Sequence, residues 1–179
     1  MKNLLVLFTL MLSLAFTTNT NAQKFNDLDR SPMDMATFPS SYKISEKIVR
    51  VIYSRPQLKG RSISQLAPAG EIWRTGANEA SEITFYKDVK IADNDIKAGT
   101  YALFTIPGEK EWTIILNSKL NQWGAYTYEK ADDVLRVNVN ASTAKETLDA
   151  FSISFQEKED GAALVMGWDT TRVTVPVSL

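Results

Sequence analysis

The sequence contains no cysteine and no histidine. Without cysteine the chain has no disulfide, no thiol nucleophile and no thiolate metal site. Without histidine it lacks the usual general base at neutral pH and the commonest metal ligand, which excludes a Ser-His-Asp triad and a histidine zinc site. An enzyme of this composition would depend on carboxylates, lysine, tyrosine or an oxygen-ligated metal. We therefore expect a non-enzymatic protein with no catalytic residues, no cofactor and no bound metal.

A strong net charge is also missing. The chain has 20 Lys and Arg residues against 21 Asp and Glu residues, so its formal net charge is −1. Nucleic-acid-binding domains carry a basic patch or stripe, and binding to anionic lipid needs a polybasic cluster. The sequence has neither feature, so we expect no nucleic-acid partner and no electrostatic attachment to a membrane surface.

The long apolar run at residues 4–16 is shorter than the roughly 20 residues that a transmembrane helix needs. It follows Lys2, and the polar stretch after it ends in Thr-Asn-Ala at residues 20–22, a pattern typical of a signal-peptide cleavage site. We interpret residues 1–22 as a cleaved signal peptide; an uncleaved anchor is the alternative. Because no cysteine follows, a lipoprotein is excluded. The sequence predicts a periplasmic or secreted protein that begins near Gln23 and is not inserted in a membrane after cleavage.

The rest of the chain has the organisation of one domain. Residues 23–43 are polar, contain two prolines and show no sustained period, so we interpret them as an extended N-terminal lead-in. From residue 44 to residue 179, short alternations of apolar and polar side chains are separated by turn residues, as in all-β domains. This pattern predicts a single antiparallel β-sandwich of about eight short strands with little helix.

The same alternation gives approximate positions for the elements. Helix is limited to one or two turns within residues 61–68, which Pro68 ends, and to a short segment over residues 141–149. The predicted strands lie at residues 48–53, 82–87, 99–107, 111–117, 134–139, 151–155, 162–168 and 171–177.

One short turn combines several side chains that commonly contact ligands, and its glycine, Gly76, supplies backbone freedom. Arg74 offers a planar fork for a carboxylate or phosphate. Asn78 can both donate and accept, and Glu79 can accept hydrogen bonds from hydroxyl groups. The flat face of Trp73 suits stacking. In the alternative interpretation Trp73 belongs to the core, and Arg74 pairs with Glu79 to hold the loop in place.

Two arginines, separated by Pro56 and Gly60, follow the first strand of the domain. Arg55 and Arg61 would form an anion-binding loop if their head groups converged. If the site exists, we expect both to meet Arg74 at one solvent-accessible concavity. The alternative is that they are ordinary surface arginines, which contribute little.

The segment NQWGAYTY, residues 121–128, places Trp123 and Tyr126 on either side of a glycine. Aromatic rings with polar neighbours suit sugar rings and other flat ligands, because ligand sites combine apolar walls with a few placed polar groups. In the alternative interpretation these aromatic side chains cover one end of the sandwich.

Four long segments occur in a characteristic order: YSRPQLKGRSI (53–63), GEIWRTGANEASEITF (70–85), KAGTYALFTIPGEKEWTIILN (97–117) and NQWGAYTY (121–128). Together they resemble the DUF2911 family, which comprises small exported bacterial proteins of unknown function. The resemblance extends from about Ser31 to the C-terminus, and it supports the single domain and the fold given above. It implies no activity, so the function has to be argued from the site itself.

Three functions fit these features. The leading one is non-enzymatic binding of a small polar ligand, namely a glycan, a cell-wall fragment or a carboxylate. Its candidate residues are Arg55, Arg61, Trp73, Arg74, Asn78, Glu79, Trp123 and Tyr126. The second is a structural or protein-interaction module in which the same arginines and glutamate form an internal network. The third is a carboxylate- or metal-dependent hydrolase, which requires two acidic side chains facing each other across a cleft.

Overall fold

Strands account for most of residues 23–179, the part of the chain that the computed structural model describes. The predicted signal peptide, residues 1–22, lies outside the described residues. The strands are β1 (Met33–Phe38), β2 (Val49–Ser54), β3 (Ser81–Phe85), β4 (Val89–Ile91), β5 (Asn94–Ile96), β6 (Gly99–Ile106), β7 (Glu111–Asn117), β8 (Asp133–Lys158) and β9 (Gly161–Ser178). They pair antiparallel in the order β1-β2-β3-β6-β7-β8-β9-β4-β5. The predicted all-β antiparallel fold is confirmed.

Among residues 23–179, helix is limited to one turn, α1 (Ile63–Leu66), and to a 3-10 turn (Lys130–Asp132). α1 confirms the helical turn predicted within residues 61–68. Its N-cap residue is Ser62, whose backbone N–H donates to the side chain of Gln65 at 2.8 Å, as in a capping box. Between residues 23 and 179, no helix is long and apolar enough to cross a membrane.

The long strand β8 belongs to both layers of the fold. Residues 133–140 pair with β7, whereas residues 141–158 pair with β9, and register shifts fall between Thr143 and Ser152. Because one strand changes partners along its length, the nine-stranded sheet folds back on itself. As a result, β1 and β2 face the second part of β8.

The main core lies between these two layers. Tyr53 of β2 meets Phe151 of β8 edge to face, with 5.9 Å between ring centroids. The Tyr53 hydroxyl also accepts a hydrogen bond from Ile153 N at 2.9 Å and donates to Ile153 O at 3.3 Å. One phenol therefore satisfies two backbone groups of β8.

The segment predicted as a helix, residues 141–149, is instead part of β8, so this prediction is wrong. The segment has no apolar stripe that a helix could bury, whereas β9 offers hydrogen-bonding partners, as in the pairing of Ala141 with Val173. The long strands β8 and β9 also merge predicted strands. Those at 134–139 and 151–155 lie in β8, and those at 162–168 and 171–177 lie in β9.

Three strands lack a sequence pattern that would predict them. β1 lies within the predicted lead-in, and of its six side chains only Ala36 and Phe38 are buried. Its partner β2, rather than its own alternation, determines its conformation. β4 and β5 have three residues each, which is too short for a period to be recognised.

A second, smaller apolar cluster lies on the outer face of the first layer. Along β6, Leu103 points into the main core, whereas its neighbours Ala102 and Phe104 belong to this outer cluster. The loop between β7 and β8, residues 118–132, covers the cluster with Leu120, Ala125 and Tyr128. This loop carries two of the candidate aromatic residues, so the fold brings them to the outer face of the sheet.

Candidate functional site

The first half of the candidate turn is directed into the core. Trp73 forms a two-way backbone bridge with Thr105, with N···O distances of 2.7 and 2.9 Å. Its ring stacks on Trp168 at 5.3 Å and 13° and meets Trp112 and Phe151 edge to face at 6.0 and 4.9 Å. Only 5% of Trp73 is exposed. The ring is therefore covered by Trp168 and its other aromatic neighbours, and Trp73 lies in the main core.

The second half of the turn lies beside the loop of residues 118–132. Asn78 O accepts a hydrogen bond from Gly124 N at 2.9 Å, and Ala80 N donates to Gln122 O at 2.8 Å. Between these two bonds, Glu79 and Trp123 form a β-bridge. Residues that face each other in this way have neighbouring side chains. The two sequence segments that the aromatic and polar motifs singled out therefore meet in space.

Two non-glycine residues with left-handed backbone produce the turn, Thr75 at φ 51° and Asn78 at φ 61°. Gly76 has a different role from the one predicted, because its φ is not in this region. A Cβ at Gly76 would lie 2.9 Å from Ser81 Oγ and 3.0 Å from Ser54 O. Close packing against β2 and β3, rather than backbone freedom, therefore requires glycine at this position.

The side chain of Arg74 leaves the core on the opposite side from Trp73. Its Nη1 lies 3.6 Å from where a Cβ of Gly124 would be, so the guanidinium lies against the aromatic loop. Its Nε is buried and has no hydrogen-bond partner among the described residues. Arg74 forms no ion pair with Glu79 there either. The internal pair of the alternative interpretation is therefore not formed.

A concavity of about 210 Å³ opens on the outer face next to Glu79. Its polar lining includes the side chain of Glu82, whose Oε1 accepts a hydrogen bond from Asn121 N at 3.0 Å. Its apolar lining includes Met33 and Ile52. Among the outer-face residues around it, two candidate rings are exposed to solvent, Trp123 by 60% and Tyr126 by 84%. The structure thus brings together Arg74, Asn78, Glu79, Trp123 and Tyr126.

A hydrogen-bonded network holds the aromatic loop in place. The Tyr128 hydroxyl donates to Asp133 Oδ2 at 2.7 Å and accepts from Arg136 Nη2 at 2.6 Å. Burial, together with the hydrogen bond to Asp133, raises the pKa of Tyr128 to about 12. The phenol therefore stays protonated throughout the neutral range, and Trp123 and Tyr126 lie on a loop that is fixed at its base.

Arg55 lies apart from this site and connects the two layers. Its guanidinium donates to Asp34 Oδ2 at 3.0 Å, to Phe151 O at 3.0 Å and to Ser152 Oγ at 2.7 Å. β1 and β8 are thereby joined through one side chain. Each of the three guanidinium nitrogens therefore donates to a group of the fold itself.

Arg61 also lies elsewhere. Its Nε and Nη2 donate to Leu58 O at 3.0 Å and to Gln57 O at 2.7 Å, both within its own turn. Within residues 23–179, no two of Arg55, Arg61 and Arg74 share a hydrogen-bond partner. The expected convergence of the three arginines is not observed.

Three residues that border the site were not singled out from the sequence. Glu82 faces Ile52 across the strand pair, and Asn121 closes the concavity from the loop. Asp29 of the lead-in accepts a hydrogen bond from Ser31 N at 2.6 Å, and this bond, together with the nearby Asn78 side chain, holds the pKa of Asp29 below the ordinary value. The alternation of Glu82 with Ile83 in the sequence indicated that Glu82 faces solvent. The positions of Asn121 and Asp29 depend on how the chain packs, so no local pattern predicts them.

Residues 31–177 match the family described as "Protein of unknown function (DUF2911)". The matched region starts where the predicted resemblance starts and includes every strand from β1 to β8 and nearly all of β9. No curated protein and no solved structure matches the chain. From its sequence over almost the whole described region, this chain belongs to the DUF2911 family.

Proposed function

We propose that this protein binds a small polar ligand, a glycan or a cell-wall fragment, without converting it chemically. One observation carries the proposal: the bridge between Glu79 and Trp123 places a carboxylate beside an indole that is 60% exposed. Carboxylates accept hydrogen bonds from sugar hydroxyls. An exposed indole offers an apolar face on which a sugar ring stacks, so the pair has the mixed character of a ligand site.

The surroundings of this pair fit the same chemistry. Asn121 and Glu82 add polar groups on one side of the concavity, and Met33 and Ile52 supply an apolar wall on the other. The volume of about 210 Å³ is below the roughly 300–1,000 Å³ of pockets for drug-sized ligands. This size suits one ring of a longer saccharide, with the rest of the chain lying over the exposed aromatic side chains.

Calorimetric titration of the purified protein with a panel of neutral tetrasaccharides and soluble peptidoglycan fragments tests the proposal. We expect at least one probe to bind, and Trp123→Ala to weaken its binding by about tenfold or more. Tyr126→Ala has a matched control in Tyr42→Ala, because both rings are more than four-fifths exposed, at 84% and 90%. Only the first of these two variants should bind more weakly.

Three results would contradict the proposal. The first is a panel in which nothing binds, and the second is unchanged affinity in Trp123→Ala. The third is hydrolysis of the bound probe, since this would make the pair Glu79 and Glu82 part of a catalytic site. Product analysis of the same titration mixtures distinguishes binding from hydrolysis.

A second candidate function, docking of a protein partner on the same face, is favoured by exposed apolar side chains. Met33, Met35 and Ile52 are 64%, 54% and 40% exposed and lie on the adjacent strands β1 and β2. Met35→Asp separates the two functions, because Met35 does not line the concavity. The variant should leave saccharide binding unchanged under the first proposal and should abolish partner binding under the second.

Export from the cytoplasm is part of the proposal, because the proposed ligands lie outside it. The chain should be cleaved after residue 22 and recovered from the periplasm or the medium. N-terminal sequencing of the protein from each cell fraction checks this expectation. A cytoplasmic protein that retains residues 1–22 would contradict it.

A further inference from the structure

A second concavity, separate from the concavity of the proposed glycan site, is lined by positively charged side chains. It has a volume of about 390 Å³ and is lined by Arg30, Ser31, Gln57, Lys59 and Arg61. Three of these five side chains are positively charged, and none is acidic. Like charges close together repel one another, so such an arrangement calls for an explanation in a chain whose net charge is only −1.

The three cations have no carboxylate partner among the described residues. In this part of the chain, ion pairs within 4.0 Å involve Arg55, Lys90, Lys97 and Arg136, and none involves Arg30, Lys59 or Arg61. Two acidic residues lie nearby, and each accepts a hydrogen bond from a backbone N–H. Asp29, the neighbour of Arg30 in the chain, accepts from Ser31 N at 2.6 Å, and Asp149 Oδ1 accepts from Lys59 N at 2.9 Å.

The turn that carries two of the cations is fixed in position. Lys59 at φ 48° and Gly60 at φ 82° are consecutive left-handed residues, and Arg61 N donates to Leu58 O at 3.0 Å, as in a type I′ turn. Leu58 N donates to Asp149 O at 2.8 Å, which ties the turn to β8. The backbone therefore holds Lys59 and Arg61 in fixed positions in the lining of the concavity.

The guanidinium of Arg61 is oriented in advance. Two of its nitrogens, Nε and Nη2, donate to Leu58 O and Gln57 O. Its Nη1 has no hydrogen-bond partner in the described part of the chain and keeps both of its protons for another acceptor. An arginine that is held in this way loses less conformational entropy when it binds an anion.

We infer that this concavity binds a small oxyanion, a carboxylate or a phosphate, through Arg30, Lys59 and Arg61. Ser31 and Gln57 add neutral hydrogen-bonding groups on the same lining. The oxyanion supplies the negative charge that the lining lacks, and its oxygens accept hydrogen bonds from the three cations. This site is independent of the proposed glycan site, because the two concavities share no lining residue.

Titration with succinate and, separately, with inorganic phosphate tests the inference at constant ionic strength. The double variant Arg30→Gln/Lys59→Asn removes two charges but leaves the hydrogen bonds of Arg61 in place, and asparagine tolerates the left-handed backbone of residue 59. The matched control is Lys110→Gln/Lys145→Gln, which removes two exposed charges outside the concavity. We expect the first variant to bind about tenfold more weakly and the control to bind like the parent protein.

The anion titrations either support the proposed site or overturn it. Binding of either anion that is lost in the first variant and kept in the control supports the site, and the tighter of the two anions identifies it as a carboxylate or a phosphate site. The inference is overturned if neither anion binds. Equal losses in both variants also overturn it, because they indicate a general effect of net charge. A saccharide titration of the same variants should be unchanged, and a loss there would mean that the protein is misfolded or that the sites are not separate.

Discussion

Trp73 and Trp123 lie in two segments that both combine a tryptophan, a glycine and polar side chains. In the structure, one tryptophan is buried and the other is exposed. Trp73 lies among Trp112, Trp168 and Phe151 and is 5% exposed. Trp123 lies on a loop over the outer face and is 60% exposed. Both flank the same turn, because Glu79 is the bridge partner of Trp123. One short turn thus contributes to the core at its start and to a surface site at its end.

This difference separates the structural role of a residue from its role in recognition. The buried half determines whether the turn forms, and the exposed half determines what the surface can bind. A substitution in the first half should lower stability, and one in the second half should lower affinity alone. Four substitutions, in the turn and in the loop that it contacts, test this division, from the largest expected effect on stability to the smallest.

Trp73→Ala should produce the largest loss of stability. Removing a fully packed aromatic side chain costs about 3–5 kcal/mol. The loss should be near the top of that range, because the ring contacts three other aromatic side chains. Chemical denaturation monitored by far-UV circular dichroism measures the free energy of unfolding. A loss below about 1 kcal/mol, typical of a surface substitution, would show that the core does not depend on Trp73.

Gly76→Ala should have an intermediate effect, because its added Cβ would lie 2.9 Å from Ser81 Oγ and 3.0 Å from Ser54 O. Overpacking of this kind typically costs about 1–3 kcal/mol. Part of the cost should disappear in the double variant Gly76→Ala/Ser81→Ala, which removes the closer of the two atoms. The same denaturation experiment measures both variants. A Gly76→Ala protein as stable as the parent would mean that the turn has room that the structure does not show.

Tyr128→Phe should remove a contribution to stability that depends on pH. The folded pKa of Tyr128, about 12, is above the ordinary value of 10.0, so folding favours the protonated phenol. The contribution is therefore complete below pH 10.0 and declines as the pH rises toward about 12. The difference in unfolding free energy between the parent and Tyr128→Phe should shrink across this interval. A constant difference would show that the phenol does not titrate with folding.

Trp123→Ala should have the smallest effect on stability. Its side chain is mostly exposed and belongs to neither buried apolar cluster, and such substitutions usually change stability by less than about 0.5 kcal/mol. Thermal unfolding checks this expectation alongside the saccharide titration. A fall in Tm as large as that of Gly76→Ala would show that Trp123, like Trp73, stabilises the folded protein.

The sequence was sufficient for the fold class, because β3 alternates strongly, β6 is a short apolar run typical of a central strand, and turn residues are frequent. It was insufficient for residues 141–149, where local composition favours a helix but β9 provides partners for an extended backbone. It also did not predict β1, whose short apolar stripe is complete only when β2 lies beside it. In both segments the extended conformation depends on pairing with a distant strand, and a local sequence pattern does not predict such pairing.

The candidate site could be predicted only in part for a related reason. The composition of the two loops identified Arg74, Asn78, Glu79, Trp123 and Tyr126, all of which meet on the outer face. Composition could not show that two other candidates lie away from this face. Trp73 is buried, and the guanidinium of Arg55 is bound between β1 and β8. Glu82 and Asn121 enter the site through strand register and loop packing, which depend on the folded chain.

The most direct test of the division between the two regions uses the indole N–H signals of the four tryptophans. These signals are resolved in a ¹H–¹⁵N spectrum and can be assigned with single Trp→Phe variants. During titration with the best saccharide of the panel, we predict that the Trp123 signal shifts while those of Trp73, Trp112 and Trp168 do not. A shift confined to the three buried indoles, or no shift at saturating saccharide, would contradict a binding site on the exposed half of the turn.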